Sequence, residues 1–100
     1  MYSEITPQSV DRILRDYHVI VERAYKGDID AIAIVDELNE AIRCARLSER
    51  QARVLKLVYF DGLTQREVAR LLGCSQKAVS HLLRETRKRI SECLQQEVLR

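Results

Sequence analysis

Helix breakers are scarce in this sequence of 100 residues. Pro7, Gly27, Gly62 and Gly73 are its only proline and glycines, so the chain is free to be helical almost throughout. No stretch alternates as a β-strand would, and no internal repeat is visible. No run of about 18 apolar residues occurs, which excludes a membrane-spanning helix. The opening MYSEITPQ lacks the basic and apolar regions of a signal peptide, so the expected compartment is the cytoplasm. The three cysteines, Cys44, Cys74 and Cys93, are odd in number, widely spaced and without a C-x-x-C pair. They read as small buried apolar residues in a reducing compartment. His18 and His81 do not complete a zinc site with them, so no metal or cofactor is expected. There is no Gly-rich phosphate loop, and no serine, cysteine or histidine stands in a catalytic arrangement, so the chain is not read as an enzyme. The acidic pairs Asp28/Asp30 and Asp36/Glu37 read as a helix start and a solvated face.

What is present is charge, unevenly spread. Residues 1–46 hold six basic against nine acidic side chains, a net −3, whereas residues 47–100 hold eleven against six, a net +5. Four of those positives fall in RETRKR, Arg84 to Arg89. The C-terminal half is therefore the half suited to a polyanion.

Hydrophobic periodicity predicts an all-α protein of about five helices: an N-terminal helical hairpin over 1–46 and a helix-turn-helix over 47–100 with a long recognition helix. The first helix starts at Thr6 and Pro7, carries Val10, Ile13, Leu14, Tyr17, Ile20, Val21 and Ala24, and stops at Gly27. Asp28 caps the second, whose stripe is Ile29, Ile32, Val35, Leu38, Ile42 and Ala45. Ser48 and Gln51 form a capping box for the third, and Thr64 and Glu67 a second box for the fourth. Gly73 ends the fourth after two turns. Ser75 caps the fifth, expected from Gln76 to about Glu97 with Val79, Leu82, Leu83, Ile90, Leu94 and Val98 on its apolar side.

Two helices joined by a tight Gly-containing turn form a helix-turn-helix. Such a unit needs a small residue at the crossing (Ala69), a positive φ in the turn (Gly73) and apolar residues that lock the pair (Val68, Leu72, Cys74, Val79 and Leu82). All are present. The segment LSERQARVLKLVYFDGLTQREVARLLGCSQKAVSHLLRETRKRI, residues 47–90, resembles the fourth conserved region of bacterial sigma factors. YFDGLT, EVARLLGCS and the trailing RKRI carry the likeness, and LSERQARVL is more distantly similar to LuxR-type DNA-binding domains. The resemblance implies a helix-turn-helix that reads a promoter −35 element. Residues 1–46 are too short and too acidic to be the sigma region that melts the −10 element. The expectation is therefore a stand-alone transcriptional regulator of bacterial or phage origin, not a complete initiation factor.

In this register the expected base-contacting residues are Ser75, Gln76, Lys77, Ser80, His81 and Arg84. Glutamine pairs with adenine, and lysine or arginine with guanine. Phosphate contacts are expected from Thr64, Gln65, Arg66, Arg70, Arg87 and Lys88. The plainer reading of RETRKR is a solvated helix face with Glu85 paired to Arg89. The expected partner is double-stranded DNA. The resemblance adds RNA polymerase as a partner, which would make the chain a protein-interaction module, and recognition of phage DNA for packaging uses the same chemistry. Residues 1–46 and 91–100 pack together either within one chain or across a homodimer.

Overall fold

Thr6 caps the first helix: its hydroxyl accepts from the Ser9 amide at 3.2 Å, and Pro7 takes the first helical position. The computed structural model describes residues 6–99, and side chains as far as Gln95. The side chains of Val98 and Leu99, expected on an apolar stripe and at an interface, lie outside the described residues. The helices are α1 (Pro7–Arg15), α2 (Tyr17–Tyr25), α3 (Ile29–Ala45), α4 (Glu49–Leu55), α5 (Gln65–Leu72) and α6 (Gln76–Leu99). Between α4 and α5, Lys56–Phe60 form a π-helical turn, closed by the Asp61 amide on the Lys56 carbonyl at 2.9 Å. The protein is all-α, with no strand among the described residues.

Six helices replace the expected five because the first segment bends at Asp16. The amide of Asp16 still bonds to Arg12 and its carbonyl still receives the Ile20 amide, so the apolar spacing continues through the bend. The two pieces have different destinations. Helix α1 buries Val10, Ile13 and Leu14 and lies against α6, whereas α2 lies against α3.

The turn after α2 is closed twice. Gly27 adopts φ +94°, the Asp28 amide bonds to the Arg23 carbonyl at 3.1 Å and the Gly27 amide to Ala24 at 3.0 Å. This is a Schellman closure. Asp28 then caps α3 through Oδ1, which accepts from the Ala31 amide at 3.2 Å, while Oδ2 holds the Arg23 guanidinium at 2.8 Å. On α3 the buried face is Ala31, Leu38, Ala41 and Ala45. Ile29 and Ile32, expected in that stripe, are instead 79% and 41% exposed.

Helix α6 is common to both halves: it packs against α1, α3, α4 and α5. Val10, Leu14, Leu38, Val54, Val68, Val79, Leu83 and Ile90 are all essentially sealed from solvent in one cluster. Each such side chain contributes about 1.5–3 kcal/mol by burial. The N-terminal hairpin and the helix-turn-helix thus share a core within one chain. The cysteines depart from their expected burial. Cys44 is exposed, and Cys74 and Cys93 are half-buried. Burial pushes the Cys93 thiol up to about 11, assisted by the neighbouring Cys44.

Candidate nucleic-acid interface

The interface is organised by the turn between α5 and α6. Thr64 and Glu67 form the expected capping box: the Thr64 hydroxyl accepts from the Glu67 amide, and the Glu67 carboxylate from the Thr64 amide, each at 3.1 Å. That bond from the Thr64 amide, and then the one from its hydroxyl, lower the Glu67 pKa below the usual carboxylate value. Helix α5 ends at Gly73, which sits in the left-handed region at φ +68°, ψ +36°. The Cys74 amide closes onto Ala69 at 3.0 Å and the Gly73 amide onto Arg70 at 3.4 Å, a second Schellman closure. One residue later the Ser75 hydroxyl accepts from the Ala78 amide at 3.0 Å and starts α6. Ala69 is buried, Val68 and Val79 are sealed, and Leu72, Cys74 and Leu82 pack half-buried around them. These are the residues expected to lock the pair.

From Ser75 onward α6 presents a polar face. Ser75, Gln76, Lys77, His81 and Arg84 are exposed. At 100° per residue, those on α6 lie within less than half a turn of one another, so one groove can meet them together. Ser80 falls on the same arc but is half-buried. Among the residues assigned to phosphate, Arg66, Arg70 and Lys88 are exposed. Thr64 is exposed too, but its amide and hydroxyl serve the capping box. Gln65 is half-buried at the start of α5.

Arg87 is engaged inside the protein. Its guanidinium donates to the Tyr59 hydroxyl at 3.0 Å, and that hydroxyl donates to Asp11 at 2.6 Å. Arg87 also lies 3.8 Å from Asp11, with 22% of its side chain exposed. Burial by itself would raise the Asp11 pKa, but the hydrogen bonds from Tyr59 and Arg15 and the charges of Arg15 and Arg87 outweigh it and lower the carboxyl. Burial and the bond to Asp11 raise the Tyr59 hydroxyl, which stays protonated as the donor. The π-helical turn sets this up. It buries Tyr59 and sets Phe60 edge-on to Tyr17, ring centres 5.1 Å apart. Sequence spacing gave no signal for the trio, because Asp11 and Tyr59 are 48 residues apart.

RETRKR therefore does not act as one strip. Thr86 is sealed in the core and donates to the Leu82 carbonyl at 2.7 Å. Arg89 reaches α4 and donates to Gln51 at 3.2 Å, in place of the expected pair with Glu85. Arg84 and Lys88 remain outward. Among the described residues no three His, Cys, Asp or Glu side chains come together as a metal site, and no helix is long and apolar enough to cross a membrane.

The sequence has known relatives. The family model for Sigma-70, region 4 matches residues 45–92. That segment is a sigma-70 region 4-like helix-turn-helix. The chain is similar to the RNA polymerase sigma-G factor of Clostridium acetobutylicum, 34% identical over 83 residues, covering 69% of this chain and 32% of that protein. It is 38% identical over 71 residues to the RNA polymerase sigma factor SigF of Mycobacterium tuberculosis, covering 69% and 27%. With the RNA polymerase sigma-F factor of Bacillus licheniformis it shares 33% identity over 106 residues, covering 89% and 41%. At 89% coverage the likeness must run beyond the region 4 segment into most of residues 1–46, which carry no motif of their own. The chain spans roughly a third of the length of these curated relatives. No solved structure matches it.

Proposed function

We propose that this chain is a DNA-binding transcription protein whose α6 enters the major groove of a duplex. The observation that carries the reading is the Gly73 turn. It ends α5, starts α6 at Ser75, and leaves Gln76, Lys77, His81 and Arg84 together on an exposed face. Residues at the start of a recognition helix meet base edges. Lys77 and Arg84 suit guanine O6 and N7, and Gln76 suits adenine N6 and N7. Arg66, Arg70 and Lys88, with the first-turn amides of α5, hold the phosphates on either side. A single such unit makes few base contacts, so most of its affinity comes from phosphate and falls with salt.

Fluorescence anisotropy with duplex DNA at several salt concentrations tests this. Three basic side chains on phosphate, Arg66, Arg70 and Lys88, give a log–log slope of roughly −3. Replacing Lys77 and Arg84 together by glutamate is expected to abolish binding. No binding at low salt, or binding that ignores salt, would remove the reading.

A second reading rests on a different surface. Leu71 on α5 is 56% exposed, with one shallow groove beside it lined by Leu63, Glu67 and Arg70 and another lined by Glu49, Arg50, Arg53 and Leu72. An exposed leucine rimmed by charge suits a protein contact, and the relatives are named for RNA polymerase. Association with RNA polymerase through this surface would survive the Lys77 and Arg84 reversals and be lost on Leu71→Asp.

A further inference from the structure

The N-terminal helix has no part in a helix-turn-helix, yet it borders this one. A cleft of about 460 Å³ is lined by Pro7, Gln8, Asp11 and Arg15 of α1, by Gln65 of α5, and by Arg84 and Arg87 of α6. Two of these, Gln65 and Arg84, belong to the surface assigned to DNA. Three arginines and a single carboxylate line this cleft, and the carboxylate is already occupied. Asp11 Oδ1 accepts from Tyr59 at 2.6 Å and Oδ2 from the Arg15 Nε at 2.9 Å. Arg15 uses only Nε in that bond, its side chain is 69% exposed, and Gln8 is exposed. An arginine has five N–H donors in a fork that matches phosphate oxygens, so the bond to Asp11 orients the group and leaves its outer edge to donate.

We propose that α1 is part of the DNA-contacting surface: Gln8 and Arg15 join Gln65 in holding the phosphate backbone beside Arg84 of the recognition helix. This extends the footprint from the helix-turn-helix onto the acidic half of the chain, whose net charge gives no hint of it. Asp11 is then a positioning residue, orienting Arg15 through its Oδ2. The inference rests on the DNA-binding role proposed for α6. It adds that the N-terminal half contributes affinity without sequence preference, since phosphate contacts carry no base information.

The test is anisotropy with the full chain on two duplexes of unrelated sequence, comparing wild type, Arg15→Ala, Gln8→Ala and Arg84→Ala. Arg43→Ala, on α3, is the control for general loss of positive charge. Arg15→Ala is expected to weaken binding to both duplexes by the same factor, roughly 3- to 10-fold, and to flatten the salt slope by about 0.9. Gln8→Ala is expected to weaken it less and leave the slope alone. Arg15 is exposed, so the variant should fold, and circular dichroism confirms that it has. Wild-type and Arg15→Ala affinities that coincide while Arg84→Ala binds weakly would overturn the role of α1 and leave the helix-turn-helix reading intact. A loss in Arg15→Ala matched by Arg43→Ala would overturn it equally, as an effect of net charge. Failure of the wild type to bind either duplex would overturn both.

Discussion

Of the chain's three glycine turns, those at Gly27 and Gly73 close in the same way and differ in where the next helix is capped. After α2, Gly27 and Asp28 finish one helix and begin the next, and Asp28 does both jobs: its amide closes α2 and its carboxylate caps α3. After α5 the jobs are divided. The Cys74 amide closes α5 and the Ser75 hydroxyl caps α6. The next helix is thus capped one residue later after the glycine. With no spacer, α3 lies along α2. With Cys74 as a spacer tucked half-buried against the core, α6 leaves in the direction that exposes Gln76 to Arg84. The same Schellman closure thus serves packing in one place and presentation in the other.

Substituting the glycines breaks the comparison hardest. Neither position has any atom within 4 Å of a new Cβ, so only backbone strain is at stake. Gly27→Val and Gly73→Val should each cost about 1–3 kcal/mol, Gly27 the more because φ +94° lies farther outside the left-handed well than φ +68°. Thermal unfolding followed by circular dichroism measures this. Below the unfolding temperature Gly73→Val should also lose affinity for duplex DNA, whereas Gly27→Val should keep it. Equal DNA losses would mean that the second turn has no special role in presentation.

Removing one cap sharpens the contrast more gently. Ser75→Ala should cost about 1 kcal/mol and fray the first turn of α6, seen as faster hydrogen exchange at the Ala78 amide. Protection unchanged at Ala78 would show that the core, not the cap, holds the start of the recognition helix.

The smallest effect is a difference in acid. The bond from the Ala31 amide, then the Arg23 pair, lower the Asp28 pKa. A lowered carboxylate stabilises fully above its unfolded value of about 3.9 and stops doing so as pH falls through its folded value. The serine hydroxyl does not titrate. Below about pH 4 the Ala31 amide should therefore lose protection before Ala78 does, by hydrogen exchange or amide chemical shift. Simultaneous loss at both would mean that acid acts on the shared core and not on the caps.

The local part of this architecture could be read from the sequence. Both capping boxes, the Thr6 and Asp28 caps and the Gly73 turn depend on bonds spanning three to five residues, and each forms as its residue types require. The bend at Asp16 could not be read, because the apolar spacing runs on through it. The π-helical turn at Lys56–Phe60 was hidden for a related reason: one wider turn leaves the composition of a helix unchanged. The exposure of Ile29 and Ile32 depends on which face of α3 its neighbours cover, something its own periodicity does not state. The engagement of Arg87 with Tyr59 and Asp11 joins three distant helical segments, and no spacing rule predicts it.

Helix α6 is 24 residues long, a rod of about 36 Å at 1.5 Å per residue. The whole molecule measures 41 Å along its longest axis. A rod gripped by four other helices turns as a lever. Tilting it by about 10° around its middle moves each end by about 3 Å, close to the rise between neighbouring base pairs. The packing of the N-terminal helices on α6 therefore determines more than stability: it sets the angle of the lever, and, with α6 in a major groove as proposed, which step of the duplex its first turns would meet.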